Sequence, residues 1–344
     1  MNVLQPKIGY IGWVGYGNLG DDALFVAFQK LFSDCVSLPY KETTKIQTYE
    51  RVVRKKVYQA VSLGGGTLIN NGSFYEIFRS AQKKGRPTFV FGAGVRSPSY
   101  WNRITGAKNS LAEWIECLHK AVFTGVRGPF SQELLERQGF NKAEVIGDLA
   151  LSLAKPEVNR KPHEKRIGIN IGVSNGLIWG GDEQAVLDLM TEFLNTMLDR
   201  NWQVTFFPVW HKDLPYIRKA ASRLKKPVKI LKNYLSIENV FEYLDQCDIV
   251  IGEKLHSVIL AMAAYTPSIM LEYRPKCADY MASMDLSEFN MRTDQLDLDK
   301  LIDLVEKLYA DLDGYQDFIA QKVKRYKQLQ QEKSKWVLNK ILNE

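Results

Sequence analysis

IGYIGWVGYGNLGDDAL, residues Ile8 to Leu24, is the stretch from which the fold can be read. The apolar run from Ile8 to Trp13 has the make-up of a buried strand. Gly15, Gly17 and Gly20 allow a tight loop, and Asp21 and Asp22 sit where a helix start favours carboxylates. Strand, glycine-rich loop and helix in that order form the joint at which α/β proteins bind ligands. The spacing from Gly15 to Gly20 also matches a dinucleotide fingerprint, but the two acids that follow oppose a pyrophosphate at the helix N-terminus. The stretch therefore predicts a Rossmann-like joint facing a ligand other than a dinucleotide.

Working outward, short β-like runs alternate with helical periodicity along the chain. In the first half, strands are expected at Ile8–Trp13, Val57–Leu63, Thr88–Phe91, Ala121–Thr124 and Ala143–Ile146, with helices at Asp21–Phe32, Phe74–Lys84, Ala107–His119 and Pro129–Gln138. Glycines follow several of these strands, including Gly64, Gly65, Gly66, Gly92, Gly94 and Gly147, as along the ligand-binding edge of a doubly wound sheet. Ala154–Arg166 carries two prolines among dense charge and reads as a linker. A second alternating pattern follows, with strands at Ile167–Ile171, Gln203–Pro208, Val228–Leu231, Asp248–Ile251 and Ser268–Leu271 and helices starting at Glu183, Asp213, Ile237 and His256. The expected architecture is α/β: two Rossmann-like domains facing a cleft, 1–154 and 167–310, joined by a linker at 155–166. A C-terminal helix over 311–344 is expected to pack back on the first domain.

Composition sets limits on function. The chain has 344 residues, 45% hydrophobic and 25% charged, which describes a globular protein of two ordinary domains. It has no run of about 18 apolar residues and no signal-peptide pattern at its start, so a cytoplasmic location is expected. Cys35, Cys117, Cys247 and Cys277 are far apart, which argues against a disulfide framework or a zinc knuckle, and no metal is expected. Lys and Arg total 46 against 39 acids, a net charge of +7 that suits anionic partners. The basic residues are not interleaved with aromatics along any segment, so no nucleic-acid partner is expected. The helical tail from Gln321 to Lys340 reads either as a solvated charged helix or as a peripheral contact with an anionic membrane, at its inner face.

Two further joints carry candidate chemistry. In DIVIGEKLHSVIL, a strand ending at Gly252 puts Glu253, Lys254 and His256 beside a helix start, a carboxylate, an ammonium and an imidazole suited to anion binding and proton transfer. Tyr273, Arg274 and Lys276 follow the next strand, either as additional donors or as an exposed basic loop. In TGVRGPFSQELL, Arg127 follows a strand and Pro129 suits the first helical turn, directing a guanidinium fit for carboxylate or phosphate to the ligand side. Ser131 offers a hydroxyl or a cap, and Asp148 a cap, an orienting partner for Arg127 or a contact to a sugar hydroxyl. His211, after a strand in FPVWHKD, is either a ligand contact or a surface residue; His119 and His163 carry no functional signal.

GYGNLGDDAL, GGGTLI at Gly64–Ile69, FGAGV at Phe91–Val95, VRGPFS followed by GDLAL, and EKLHS followed by EYRPK together resemble the polysaccharide pyruvyltransferase family, over residues 8 to about 290. The resemblance implies a GT-B-like two-domain fold and transfer of the pyruvyl group of phosphoenolpyruvate to sugar hydroxyls of a polysaccharide or its lipid-linked precursor. Such transfer forms a ketal and releases phosphate, with no metal or nucleotide cofactor. It implies that His256 is the general acid for the donor methylene carbon and that Arg127 binds the donor. Lys254, Ser131, Ser257, Lys276 and His211 are assigned to the donor with Arg127. Asn18, Asp21, Asp22, Gly65, Gly66, Thr67 and Asp148 are assigned to the acceptor. Two positions depart from the family: Lys254 stands for an arginine, losing its bidentate fork, and Gly128 stands for an acid. A nucleotide-sugar glycosyltransferase, with Glu272 on a ribose, and a non-catalytic subunit of polysaccharide assembly are the alternatives.

Overall fold

Continuous apolar runs without polar alternation require strands covered on both faces, and the chain forms two sheets of that kind. The computed structural model describes residues 5–41, 43–53, 56–105, 111–159, 163–231 and 236–343. Residues 1–16, 24–152 and 326–344 group into one compact unit, and residues 17–23 and 153–325 into another.

In the first unit the strands are β1 (Lys7–Ile11), β2 (Val36–Pro39), β3 (Ala60–Leu63), β4 (Gly66–Ile69), β5 (Thr88–Val95), β6 (Thr124–Val126) and β7 (Glu144–Val145). They pair in parallel in the order β2-β1-β3-β5-β6-β7, with β4 beside β5. The helices are α1 (Leu19–Leu31), α2 (Thr44–Val53), α3 (Gly72–Lys83), α4 (Pro98–Thr105), α5 (Ala112–His119) and α6 (Pro129–Glu136). Every residue of β3 and β5 is buried. Phe78 of α3 and Trp114 of α5 pack in one core cluster with Val61, Leu63 and Val90, while Phe28 and the adjoining Phe32 stack near Phe89 and Phe91. Sequence periodicity missed β2, β4 and α2. β2 has only four residues, and β4 opens on Gly66 at φ +98°, inside a glycine run that reads as loop. The helix expected over 107–119 is instead α5 alone, preceded by α4; residues 106–110 lie outside the described residues.

The second sheet holds β8 (Arg166–Asn170), β9 (Gln203–Phe206), β10 (Lys229–Ile230), β11 (Ile249–Gly252), β12 (Ser268–Glu272) and β13 (Asn290–Arg292), all parallel, in the order β10-β9-β8-β11-β12-β13. Counted from β8, this is the 3-2-1-4-5-6 order of a dinucleotide-binding sheet. Its helices are α7 (Glu183–Asp199), α8 (Leu214–Ala221), α9 (Ile237–Leu244), α10 (Leu255–Ala263), α11 (Pro275–Ser283) and α12 (Leu298–Ala310). Asp182, Ser236 and Asp297 cap α7, α9 and α12 by accepting from backbone N–H groups of the first turn, which fixes where each helix begins. The long last helix, α13 (Leu312–Asn343), contributes residues up to Arg325 to the second unit and residues from Tyr326 to the first. In the first unit Gln330 donates to the carbonyls of Ile146 and Asp148, both at 2.9 Å, and the Tyr326 ring covers Gly147.

The described part of the expected linker is tied to the second unit. Glu164 and Arg166 donate backbone N–H groups to Asp248, and Tyr265 donates its hydroxyl to the Lys155 carbonyl. All four cysteines are free and buried. Among the described residues no helix is long and apolar enough to cross a membrane.

Candidate active site

A parallel sheet binds ligands where the strand order reverses, because neighbouring connections leave in opposite directions and open a crevice at the strand C-termini. In the second unit that point lies between β8 and β11, and the EKLH joint is placed there. Asn170, at the end of β8, organises it. Its carbonyl accepts from Glu253 N–H at 2.9 Å, its side-chain oxygen from Lys254 N–H at 3.1 Å, and its amide donates to the Phe207 carbonyl at 2.9 Å. The ends of β8, β9 and β11 are thereby fixed to one another.

A buried charge cluster fills this point. Glu253 accepts from Gly172 N–H at 3.1 Å and from the Ser174 hydroxyl at 3.4 Å, and Asp213 accepts from Trp210 N–H at 3.1 Å. Lys254 donates its ammonium to the Val173 carbonyl at 2.5 Å and to Ser174 Oγ at 2.9 Å, with the Tyr273 ring 5.1 Å away. Burial pushes the Glu253 carboxyl up to about 7 and the Asp213 carboxyl up to about 6, and in each case the neighbouring Lys254 is the largest opposing influence. Gly172 has to be glycine: a Cβ there would lie 2.2 Å from Asp213 Oδ1 and 2.5 Å from Lys254 Cε. The ammonium assigned to the donor is thus engaged by its own chain and balanced by two internal carboxylates.

His256 stands in the first turn of α10, half-buried. Its ring lies against Gly20, where a Cβ would come within 2.1 Å of Nδ1. The opening glycine-rich motif makes this seat. Asn18 Oδ1 caps α1 by accepting from Gly20 N–H at 3.0 Å, Leu19 donates to the Val209 carbonyl at 2.9 Å, and Asn18 bridges Trp210 in antiparallel fashion. Residues 17–23 group with the second unit, so Asn18, Asp21 and Asp22, read from sequence as part of a first domain, belong with His256. His211 is exposed with Nδ1 3.4 Å from the Gly17 carbonyl, which puts it on the other side of the same loop. Lys276 sits in the first turn of α11, its ammonium 4.9 Å from the Tyr273 ring, and the Arg274 guanidinium is 4.9 Å from that ring as well. Ser257 is fully buried, and its hydroxyl donates to the Lys254 carbonyl at 2.5 Å, a bond that closes the turn rather than facing a donor.

The first unit holds the remaining candidates. Arg127 is 1% exposed, its guanidinium against Gly94, where a Cβ would lie 2.4 Å from Nη2. In this conformation it presents no surface to a ligand. Ser131 is buried as well and accepts from Val95 N–H at 2.9 Å, which ties α6 to β5. Asp148 is 0% exposed and accepts from Ala150 N–H at 3.0 Å, so of its sequence readings the cap is realised and the sugar contact has no accessible atom. Gly65 is buried against Leu24, while Gly66 and Thr67 open β4, half-buried. Glu272, the ribose candidate of the glycosyltransferase alternative, is buried and accepts from Trp179 Nε1 at 2.7 Å and from the Asn290 amide.

Asn170, Gly172, Ser174 and Asp213 were not recognised from sequence. Gly172 repeated the glycine-after-strand signal seen elsewhere; a lone Asn and Asp beside apolar runs gave none. Among the described residues no three His, Cys, Asp or Glu side chains converge as metal ligands.

The fold is shared with solved structures of low identity. A glycosyltransferase from Rickettsia africae aligns with TM-score 0.60 at 10% identity, over 98% of this chain and 99% of that one. The UDP-GlcNAc 2-epimerase from Neisseria meningitidis aligns with 0.58 at 12%, over 98% and 100%, and MurG from Acinetobacter baumannii with 0.51 at 11%, over 98% and 100%. Such identities speak for the GT-B-like α/β fold alone. No curated protein sequence matches the chain. The model of the polysaccharide pyruvyl transferase family matches residues 18–275, a span running from the Asn18 cap through the joint at His256 to Pro275, and by that match the chain belongs to this family.

Proposed function

We propose that the protein transfers the pyruvyl group of phosphoenolpyruvate to a pair of sugar hydroxyls on a polysaccharide or its lipid-linked precursor, with His256 as the acid. The observation that carries this reading is the His256 ring held against Gly20 at the switch point of the second sheet, beside half-buried Lys254 and the buried carboxyls of Glu253 and Asp213. Protonation of the donor's methylene carbon leaves positive charge at C2, where a sugar hydroxyl oxygen bonds while its proton passes to solvent. A second hydroxyl oxygen then bonds to C2 as the C2–O bond to phosphate breaks, its proton passing to the departing phosphate, which closes the ketal and releases inorganic phosphate. Lys276 and Arg274 supply positive field for the donor's carboxylate and phosphate, while Lys254 holds the Val173–Ser174 turn beside them. The resemblance assigns Arg127 to the donor too; it is buried here, and loss of phosphoenolpyruvate stabilisation in Arg127→Ala is the result that would support the assignment.

The test is thermal melting with phosphoenolpyruvate against a panel of nucleoside diphosphates and nucleotide sugars, followed by phosphate release with glycan acceptors. We expect stabilisation by phosphoenolpyruvate alone. In His256→Ala turnover should fall roughly 10²- to 10⁴-fold while that stabilisation is retained. Stabilisation by a nucleotide instead would replace this reading with glycosyl transfer. Donor binding without turnover on any glycan would point to a non-catalytic subunit.

A further inference from the structure

The first unit has a switch point of its own, which the proposed chemistry leaves unused. With β4 set aside, its sheet runs 2-1-3 and onward, so the order reverses between β1 and β3. The connection leaving β1 there carries Trp13 and Tyr16, 51% and 64% exposed. Their rings meet edge to face, centroids 4.9 Å apart at 64°. Of the exposed large apolar side chains among the described residues, these two form the pair that sits on a loop at a strand C-terminus; Val26, Val52, Val53, Ile77 and Trp336 lie on helices. The chain at the ends of β1 and β3 is closely packed. Gly12 and Gly64 both lie over the Tyr10 ring, where a Cβ would come within 2.5 Å and 2.0 Å of it, and Gly64 N–H donates to the Ile11 carbonyl at 2.9 Å. Gly15 holds φ +83° with no atom within 4 Å of a Cβ position.

We infer that Trp13 and Tyr16 form a stacking platform for a pyranose ring of the acceptor glycan. A pyranose presents one face of C–H groups, which an aromatic face covers without losing the hydrogen bonds of the rim hydroxyls. Trp and Tyr also carry an N–H and an O–H at the ring edge that can pair with those hydroxyls. Two large side chains packed together fix the platform at little cost in side-chain entropy. The inference rests on the proposed function in taking the glycan as acceptor. A uracil base would also stack on such a pair, and the experiment separates the two.

The measurement is quenching of tryptophan fluorescence by oligosaccharides without phosphoenolpyruvate, set beside UDP, in the full-length protein and in Trp13→Phe, Trp13→Ala and Tyr16→Ala. Both side chains are exposed, so the variants should keep the melting temperature and its rise with phosphoenolpyruvate. Each alanine variant should weaken oligosaccharide binding roughly tenfold, read for Trp13→Ala by calorimetry. Trp13→Phe should restore most of that loss. Unchanged oligosaccharide affinity in both alanine variants overturns the platform, and so does quenching by UDP with none by oligosaccharide. Because glycan binding is read without turnover, failure of pyruvyl transfer leaves this result standing, and failure of the platform leaves the role of His256 untouched.

Discussion

Arg127 and Lys254 occupy matching joints, each just after a strand and just before a helix, yet their charges are managed in opposite ways. Lys254 has two carboxylates built around it, and its ammonium holds the Val173–Ser174 turn. Arg127 is enclosed against the backbone of Gly94 on β5, in a joint where the family's acid is replaced by Gly128. An ammonium balanced from within is part of the scaffold, and substituting it should be read first in stability. A cation packed on glycine depends on that glycine for its place, and substituting either should be read in position.

The largest expected effect breaks or confirms the counter-ion role. Lys254→Met should leave Glu253 and Asp213 buried without their compensating charge and destabilise the fold by about 3 kcal/mol at pH 8. The loss should shrink at pH 5, and adding Glu253→Gln should return a good part of it in a double-mutant cycle. A melting temperature equal to wild type at pH 8 would return Lys254 to the role of a free donor ligand.

A smaller effect sharpens the contrast through the two glycines. Gly172→Ala drives a methyl into a short, pinned carboxylate and should cost about 2–3 kcal/mol. Gly94→Ala meets the far end of a longer side chain and should cost about 1 kcal/mol. Chemical denaturation of the two variants checks the order, and equal costs would mean that Arg127 is held as firmly as Asp213.

The remaining test is the pH dependence of wild-type stability. Glu253, raised from 4.5 to about 7, and Asp213, raised from 3.8 to about 6, keep their protons in the folded state over a range where the unfolded chain has released them. Their contribution is fully present at low pH and is lost as pH rises from about 4 through 7. Melting curves at pH 5, 6, 7 and 8 should show that decline, and Glu253→Gln should flatten it. A decline of the same slope in the variant would remove Glu253 from the account.

Much of this organisation could be read locally. A strand that runs into glycine is a short-range pattern, which is why the joints at Gly15–Gly20, Gly64–Gly66 and Gly252–His256 were legible, and why both sheets could be drawn as parallel. What escaped was decided by distant partners. Nothing within the opening motif reveals that Asn18–Gly20 groups with His256, because the bond from Leu19 to Val209 and the packing on Gly20 join residues remote in sequence. Asp213 and Asn170 read as isolated polar residues until folding gathers the ends of β8, β9 and β11 around them. Arg127 was expected at a surface from its place after a strand. The bare backbone at Gly94 leaves room for its guanidinium, and the side chain is buried there instead.

Helix α13 has a consequence for how the chain is made. Its residues from Tyr326 onward belong to the first unit, where Gln330 caps the carbonyls of Ile146 and Asp148. On a ribosome that glutamine emerges only after the whole second unit has been synthesised. Until then the first unit waits with two carbonyls unsealed and with Gly147 lacking its cover of Tyr326. Vectorial synthesis therefore cannot finish the units one after the other: the part begun first is among the last to be completed, and a fragment cut at Ser152 would inherit the unfinished state permanently.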